Sequence, residues 1–193
     1  MHRNKIGKFV TAALCVSLWG GVPAVAFASG AFGVTSPSFG DNEIMSKKHG
    51  AKGGPRNCDG ENVSPALEWS GAHENTKSFA IIVHDSVGAH GLGVTHWVGY
   101  GIPGSDTALD EGELSKPAEN GNYVGGINRI KKPTYFGPCP DVGDLPHHYE
   151  FTLIATDLEP DALAPGMTRE ELLAALADHA LGATSLIGRY ARN

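Results

Sequence analysis

The sequence predicts a mainly β protein, a β-sandwich decorated by one or two peripheral α-helices. Apolar and polar residues alternate over several short segments, and this period of two is typical of strands that bury one face. The 26 glycines and 12 prolines separate these segments with turns. One late segment alone has clear helical spacing. Many strands with little helix favour two packed sheets as the core.

The first 28 residues are predicted to be a cleavable secretory signal peptide. Arg3, Lys5 and Lys8 precede an apolar stretch over residues 9–25, and Ala26-Phe27-Ala28 supplies the small-x-small cleavage pattern. Glycines and a proline interrupt the apolar stretch, whereas a membrane span needs roughly 20 consecutive apolar residues. We therefore expect a periplasmic or secreted protein without an integral membrane segment after cleavage, and a single mature domain over residues 29–193.

The charge of the mature chain limits its partners. Cleavage removes three basic residues and no acidic ones, which leaves 12 basic against 21 acidic residues and a formal charge of −9. Nucleic acids and anionic membrane surfaces bind basic patches. The composition therefore argues against both as main partners, and no cofactor is expected.

Two cysteines remain after cleavage, Cys58 and Cys139. An even number in an oxidising compartment permits one disulfide bond, which would close a long loop and stabilise the fold by roughly 4–5 kcal/mol. The alternative is a pair of separate buried thiols. The sequence leaves both open.

The strand and helix predictions follow in chain order. Alternation predicts strands over Lys77–His84, Thr95–Ile102 and His148–Asp157. Thr168 and Glu171 form a capping box that begins a helix, Gly182 resembles a stop signal, and Ala183–Tyr190 is predicted to return as a final strand.

Three connections are longer than usual for a compact domain, at residues 40–62, 86–94 and 104–134. Such loops often carry ligand contacts.

Histidines near predicted strand ends are the first candidates for chemistry. His84, His90 and His96 surround the loop that follows the first of these strands, and strand parity places His147 and Tyr149 on one face of another. Imidazole and phenol groups at strand ends could form a small pocket that donates hydrogen bonds to an oxyanion. A structural role for each residue is the competing interpretation.

Four separated motifs make a family resemblance specific. They are Cys58-Asp-Gly-Glu-Asn62-Val-Ser64-Pro65, His96-Trp97-Val98, Tyr135-Phe-Gly137-Pro138-Cys139-Pro140 and Pro146-His147-His148-Tyr149. In this order they resemble the bacterial phosphatidylethanolamine-binding proteins, the Raf-kinase-inhibitor-like family. The resemblance covers nearly all of residues 34–190.

The resemblance implies an antiparallel β-sandwich with Greek-key-type connections and an anion pocket at one end. By motif position, the pocket would be formed by Asp85, His96, Gly137, Pro138, His147 and Tyr149. His96 and His147 would supply N–H donors and Tyr149 a hydroxyl donor. Asp85 would orient a histidine, since like charges repel an anion, and the backbone at Gly137 and Pro138 would form a rigid wall.

Two departures from the family pattern concern the rim of the pocket. The acidic, proline-rich loop of the family is here Asp85-Ser86-Val87-Gly88-Ala89, and its His-Arg-Tyr is His147-His148-Tyr149. A rigid rim is thus replaced by a glycine-rich one, and a permanent cation is lost.

The resulting hypothesis is an exported protein that binds a small anion, such as phosphate, a phospholipid headgroup or a carboxylate, without turnover. An alternative is a protein-interaction or inhibitor module that acts on a protein target through residues 86–94 and 104–134. A second alternative is a metal-assisted hydrolase built from His84, Asp85, His90 and His96. Relatives in the family also suggest a homodimer.

Overall fold

The computed structural model describes residues 30–118 and 122–192, so the predicted signal peptide lies outside the described residues. Eleven strands are present in this part of the chain: β1 (Gly33–Thr35), β2 (Glu43–Ile44), β3 (Lys52–Gly53), β4 (Cys58–Asp59), β5 (Leu67–Ser70), β6 (Ser78–Asp85), β7 (Val94–Pro103), β8 (Ala108–Leu109), β9 (Val124–Gly125), β10 (His147–Thr156) and β11 (Ala180–Tyr190). The helices are α1 (Gly88–Gly91) and α2 (Arg169–Leu176), with 3-10 turns at Lys47–His49 and Glu113–Ser115. Across the described residues, none of the helices is long and apolar enough to cross a membrane.

The strands form two facing sheets and a small hairpin. A six-stranded sheet has the order β2-β11-β10-β6-β7-β9, a three-stranded sheet has the order β1-β5-β8, and β3 pairs with β4. Within the larger sheet, β10-β6-β7-β9 is an antiparallel Greek-key order, with the fourth strand beside the first. The predicted antiparallel sandwich is confirmed, with one parallel pair at the edge, β2 on β11.

The main core lies between the two sheets. Phe79, Ile81 and Val83 of β6 are each at most 2% exposed, and their odd numbering places them on the face that the alternation predicted. They pack in one cluster with Trp69 of the smaller sheet and Trp97 of β7. Both tryptophans are buried.

The helix α2 covers the outer face of the six-stranded sheet. Leu172 and Leu176 of this helix pack against Ala80 and Ile82, which alternate with the residues that face the main core. The predicted capping box is confirmed, since the Thr168 and Glu171 side chains each accept a hydrogen bond from the other residue's backbone N–H.

The predicted end of α2 is wrong. Gly182 was expected to stop the helix, but the helix ends at Leu176 and Gly182 lies inside β11. The reason is tertiary, because Ala180 and Gly182 pair with Thr156 and Ala155 of β10. Pairing with the neighbouring strand thus places the glycine inside β11, and tertiary context decides its role.

Cys58 and Cys139 form a disulfide bond with their Cα atoms 5.8 Å apart. The bridge joins β4 to the segment that precedes β10, across a sequence separation of 81 residues. Of the two alternatives that the sequence left open, the structure therefore has the bridge.

Candidate functional site

The predicted side chains Asp85, His96, His147 and Tyr149 converge at one end of the central strands of the six-stranded sheet. Asp85 ends β6, and His147 and Tyr149 begin the antiparallel β10, so that Asp85 and Tyr149 are register partners. His96 lies near the start of β7, the other neighbour of β6. Antiparallel pairing thus brings together residues that are up to 64 positions apart in the sequence.

Asp85 connects the sheet to the rim of the pocket. One carboxylate oxygen, Oδ1, accepts from the backbone N–H groups of Val87 and Gly88 at 3.1 and 3.0 Å. The other, Oδ2, accepts from His147 Nδ1 at 2.7 Å. The Asp85 side chain is 4% exposed and that of His147 is 15% exposed. Asp85 therefore orients a histidine, the role that the resemblance implied for it.

His96 is held by the segment that follows residue 134. Its Nδ1 donates to the Phe136 carbonyl oxygen at 2.6 Å, and its ring stacks on the Phe136 ring with centroids 5.4 Å apart. Burial lowers the pKa of His96 to about 4, against the smaller opposing effects of the Phe136 carbonyl and Asp85. The imidazole is therefore neutral near pH 7.

The Tyr149 ring is packed between the two histidines. It meets the His96 ring edge-on at 5.0 Å between centroids, and the His147 ring lies 6.4 Å away at an interplanar angle of 23°. Its hydroxyl has no hydrogen-bond partner among the described residues. Burial raises the pKa of Tyr149 above the usual value for a phenol. The group therefore keeps its proton and can donate it.

One side of a cleft of about 750 Å³ is formed by Asp85, His96, His147 and Tyr149. This volume is in the range of small-molecule sites. Four basic side chains, which the motif analysis missed, also line it: Lys52, Arg56, Arg129 and Lys132. Three carboxylates accompany them: Asp85, Asp141 and Asp144. Arg56 pairs with Asp141 at 3.1 Å, whereas Lys52, Arg129 and Lys132 form no ion pair within the described part of the chain.

The wall after residue 135 differs in detail from the expected one. Gly137 and Pro138 are not among the residues that line the cleft; the Gly137 N–H donates to Asn62 Oδ1 and the Pro138 carbonyl accepts from Ala51 N–H. The cleft itself is lined by the neighbouring Phe136, Cys139 and Pro140. The pair expected to form the wall thus anchors this segment through its hydrogen bonds to Asn62 and Ala51.

Gly137 is predicted to tolerate no side chain. A Cβ at this position would lie 2.7 Å from the Ala51 amide nitrogen, which is backbone and cannot move aside cheaply. We expect Gly137→Ala to lower the free energy of unfolding by about 2 kcal/mol, measured by urea denaturation. Gly182→Ala is the control, since its Cβ would meet only Phe32 at an ordinary 3.6 Å. Equal midpoints for the two variants would contradict the close packing.

The loop at residues 86–94 forms the second side of the cleft. Its turn α1 holds Ala89 and His90 at positive φ values of 54° and 60°, and His90 lines the cleft. Val87 and Leu92 on the same loop are 49% and 89% exposed. Exposed apolar side chains beside a cleft suit a docking role, and the protein-interaction alternative stays a prediction.

The arrangement does not support the metal-assisted alternative. His84 lies on the opposite face of β6 from Asp85 and its Nδ1 contacts Thr95 Oγ1 at 3.3 Å. Among residues 30–118 and 122–192, no three His, Cys, Asp or Glu side chains are grouped closely enough to hold a metal ion.

A family model described as phosphatidylethanolamine-binding protein matches residues 35–191 of this chain. The match covers both sheets except the first two residues of β1, together with the helix α2 and every residue of the site. The chain belongs to the phosphatidylethanolamine-binding protein family.

Relatives of the chain support this membership. A UPF0098 protein from Methanothermobacter thermautotrophicus is 41% identical over 135 residues, which cover 70% of this chain and 87% of the relative. The crystal structure of YbcL from Escherichia coli, titled a member of the mammalian phosphatidylethanolamine-binding family, superposes with a TM-score of 0.76 at 30% identity, covering 84% and 99% of the two chains. LppC from Mycobacterium tuberculosis, named as a candidate lipoprotein, is 33% identical over 158 residues, or 81% and 71% of the two sequences.

The departures from the phosphatidylethanolamine-binding pattern have structural consequences at the rim. His148, in place of the family's arginine, is exposed and outside the cleft lining. The Asp85 carboxylate, not a proline, holds the following turn in place through its two backbone hydrogen bonds. Basic groups reach the cleft from other segments, on Lys52, Arg56, Arg129 and Lys132.

Proposed function

We propose that this protein is an exported binding protein that captures a small anionic group, without turnover, in the cleft beside Tyr149. The candidate groups are phosphate, a phospholipid headgroup and a carboxylate. The observation that carries the proposal is the Tyr149 hydroxyl, beside His96 and His147: it belongs to a buried residue that lines the cleft, and it has no hydrogen-bond partner among the described residues. An unsatisfied donor in a cleft is stabilised when a ligand oxygen accepts from it.

The charge around the cleft supports the capture of an anion. Four basic side chains and three carboxylates line it, a formal charge of +1 in a chain whose mature formal charge is −9. Low-dielectric walls concentrate the field of such groups, so the local potential at a cleft can differ in sign from the net charge. The cleft thus suits an anion although the rest of the surface is acidic.

Two further observations support export and binding without turnover. A disulfide such as Cys58–Cys139 persists in oxidising compartments, which agrees with the predicted signal peptide and with the name of the relative LppC. Within the described cleft lining, no histidine is hydrogen-bonded to a serine, threonine or cysteine that it could activate as a nucleophile.

Calorimetric titration with phosphate, phosphoethanolamine and acetate tests the proposal. Tyr149→Phe removes the hydroxyl donor, and we expect it to weaken binding roughly 10- to 100-fold, the effect of one hydrogen bond to a charged group. Tyr100→Phe is the matched control. Its hydroxyl is also buried but donates to the Ala164 carbonyl beneath the opposite face of the sheet. Equal affinities for Tyr149→Phe and the wild type would contradict the proposed site.

A further inference from the structure

Two neighbouring side chains of the cleft, Tyr149 and His96, differ in their hydrogen-bonding capacity: one presents a donor and the other an acceptor. His96 Nδ1 faces the Phe136 carbonyl oxygen at 2.6 Å, and a carbonyl can only accept. The Nδ1 atom therefore carries the proton of the neutral ring, and Nε2 presents a lone pair. The resemblance implied an N–H donor at His96, and the geometry gives a hydrogen-bond acceptor in its place.

The acceptor is directed to the cleft. His96 lines the cleft, and its Nε2 has no hydrogen-bond partner among the described residues. This atom is also not sealed from solvent, in contrast to the buried Nε2 of His49, which has no partner either. A bound group can therefore reach it.

The neutral state of His96 follows from its surroundings. The ring is 3% exposed, and burial lowers its pKa to about 4. The charged or titratable groups around it come from two strands and one cleft segment: Asp85 and His84 on β6, Tyr149 and His147 on β10, and Arg129 after β9. Of these, Asp85 favours the protonated ring and His84 opposes it, and burial outweighs both.

The second histidine of the site, His147, has both ring nitrogens next to carboxylates of the chain. His147 Nδ1 donates to Asp85, and its Nε2 lies 3.5 Å from Asp144 Oδ2. A negative group of the chain thus already stands next to that nitrogen. Among the described residues, this end of the cleft therefore offers the Tyr149 hydroxyl as a donor without a partner and, on the ring that Tyr149 meets edge-on, His96 Nε2 as an acceptor without a partner.

We propose that the cleft selects an anion that carries an acidic proton, namely phosphate or a phosphate monoester, over sulfate, carboxylates and phosphodiesters. This inference rests on the proposed function and narrows its ligand. A monohydrogen phosphate oxygen accepts from Tyr149 while its P–OH group donates to His96 Nε2. A phosphate monoester keeps that proton below its second pKa of about 6. Sulfate, a carboxylate and the phosphodiester of an intact phospholipid have no such proton near neutral pH, so an oxygen would face the lone pair.

Competing probes at about pH 5.5 test the selectivity, where His96 is still neutral and phosphates are protonated. The probes are inorganic phosphate, phosphoethanolamine, glycerophosphoethanolamine and sulfate, titrated by calorimetry into the mature protein. We expect the first two to bind at least about tenfold more tightly than the last two, because an unmatched buried acceptor is costly. Phosphoethanolamine and its glycerol diester distinguish a free monoester from an intact lipid headgroup.

The pH dependence provides a second measurement that needs no variant. Raising the pH to about 8 removes the second proton of phosphoethanolamine, so its affinity should fall, while the affinity for sulfate should not rise. Comparable affinities for phosphate and sulfate at the lower pH would overturn this inference and leave the proposed function intact. Failure of every probe to bind would overturn both.

A pair of variants isolates the ring nitrogen. His96→Gln replaces the fixed acceptor with an amide that can turn its NH₂ group towards the ligand, so the preference for phosphate over sulfate should shrink towards one. His49→Gln is the matched control, since His49 is also buried with Nδ1 against a carbonyl, that of Val63, but lies outside the cleft lining. An unchanged preference in a folded His96→Gln protein would contradict the inference.

Discussion

Replacing Cys58 and Cys139 together by alanine is expected to lower the free energy of unfolding by about 4 kcal/mol. The bond joins residues 81 positions apart, and closing so long a loop removes much of the conformational entropy of the unfolded chain. For a domain of this size the midpoint of thermal unfolding should fall by roughly 10 °C.

Thermal and urea denaturation with and without a reducing agent measure the effect of the bridge. The reductant should destabilise the wild type by a similar amount and leave the double alanine variant unchanged. Insensitivity of the wild type to full reduction would contradict a stabilising bridge. Loss of the bridge should also loosen the hairpin β3–β4, because the disulfide and Arg192 both connect this hairpin to residues 139–140.

Replacing Asp85 by alanine is expected to lower the free energy of unfolding by about 3 kcal/mol. The carboxylate accepts three hydrogen bonds in a buried position, two from the backbone of the rim and one from His147. Without it, the amides of Val87 and Gly88 lose their acceptor. His147 also loses the partner that fixes its ring, so the rim and the pocket should become disordered together.

The chain contains a matched control for this prediction. Asp157 also accepts from a histidine, His179, at 2.8 Å, but both side chains are more than 40% exposed. Solvent screens such a pair, and Asp157→Ala should cost less than about 1 kcal/mol. Urea denaturation of the two variants compares the same chemistry at two depths of burial, and a cost for Asp157→Ala as large as that for Asp85→Ala would refute the importance of burial.

The four longest strands, β6, β7, β10 and β11, could be predicted because their signal is local. On β6, residues 79, 81 and 83 face the core between the sheets, while residues 80 and 82 face α2. Because successive side chains of a strand point to opposite faces, the two buried faces of the sheet can be recognised from consecutive residues. The capping box at Thr168 is equally local, since both of its hydrogen bonds lie within four residues. The end of α2 was missed because pairing with β10, not the glycine, decides it.

The site could be predicted in part, for the residues that fall within motifs. Asp85, His96, His147 and Tyr149 converge at one end of the central strands, and their capacity to bind a ligand stays a prediction. Gly137 and Pro138 do not line the cleft, which the spacing of residues does not reveal because it cannot show which way a turn faces. The basic lining went unnoticed because its members lie on the β3–β4 hairpin and on the segment after β9, outside the motifs and without any periodic pattern.

The sequence by itself determined the family, the alternation of the strands and the residue types at the pocket, all of which depend on short-range order along the chain. Only the tertiary structure decided which side chains surround the cleft and which nitrogen of His96 carries a proton. That proton is fixed by the Phe136 carbonyl, 40 residues away, and the neutral charge of the ring by burial among neighbouring strands. Both depend on residues that are distant in the sequence but close in space. Together they make His96 Nε2 a hydrogen-bond acceptor, where a donor was expected.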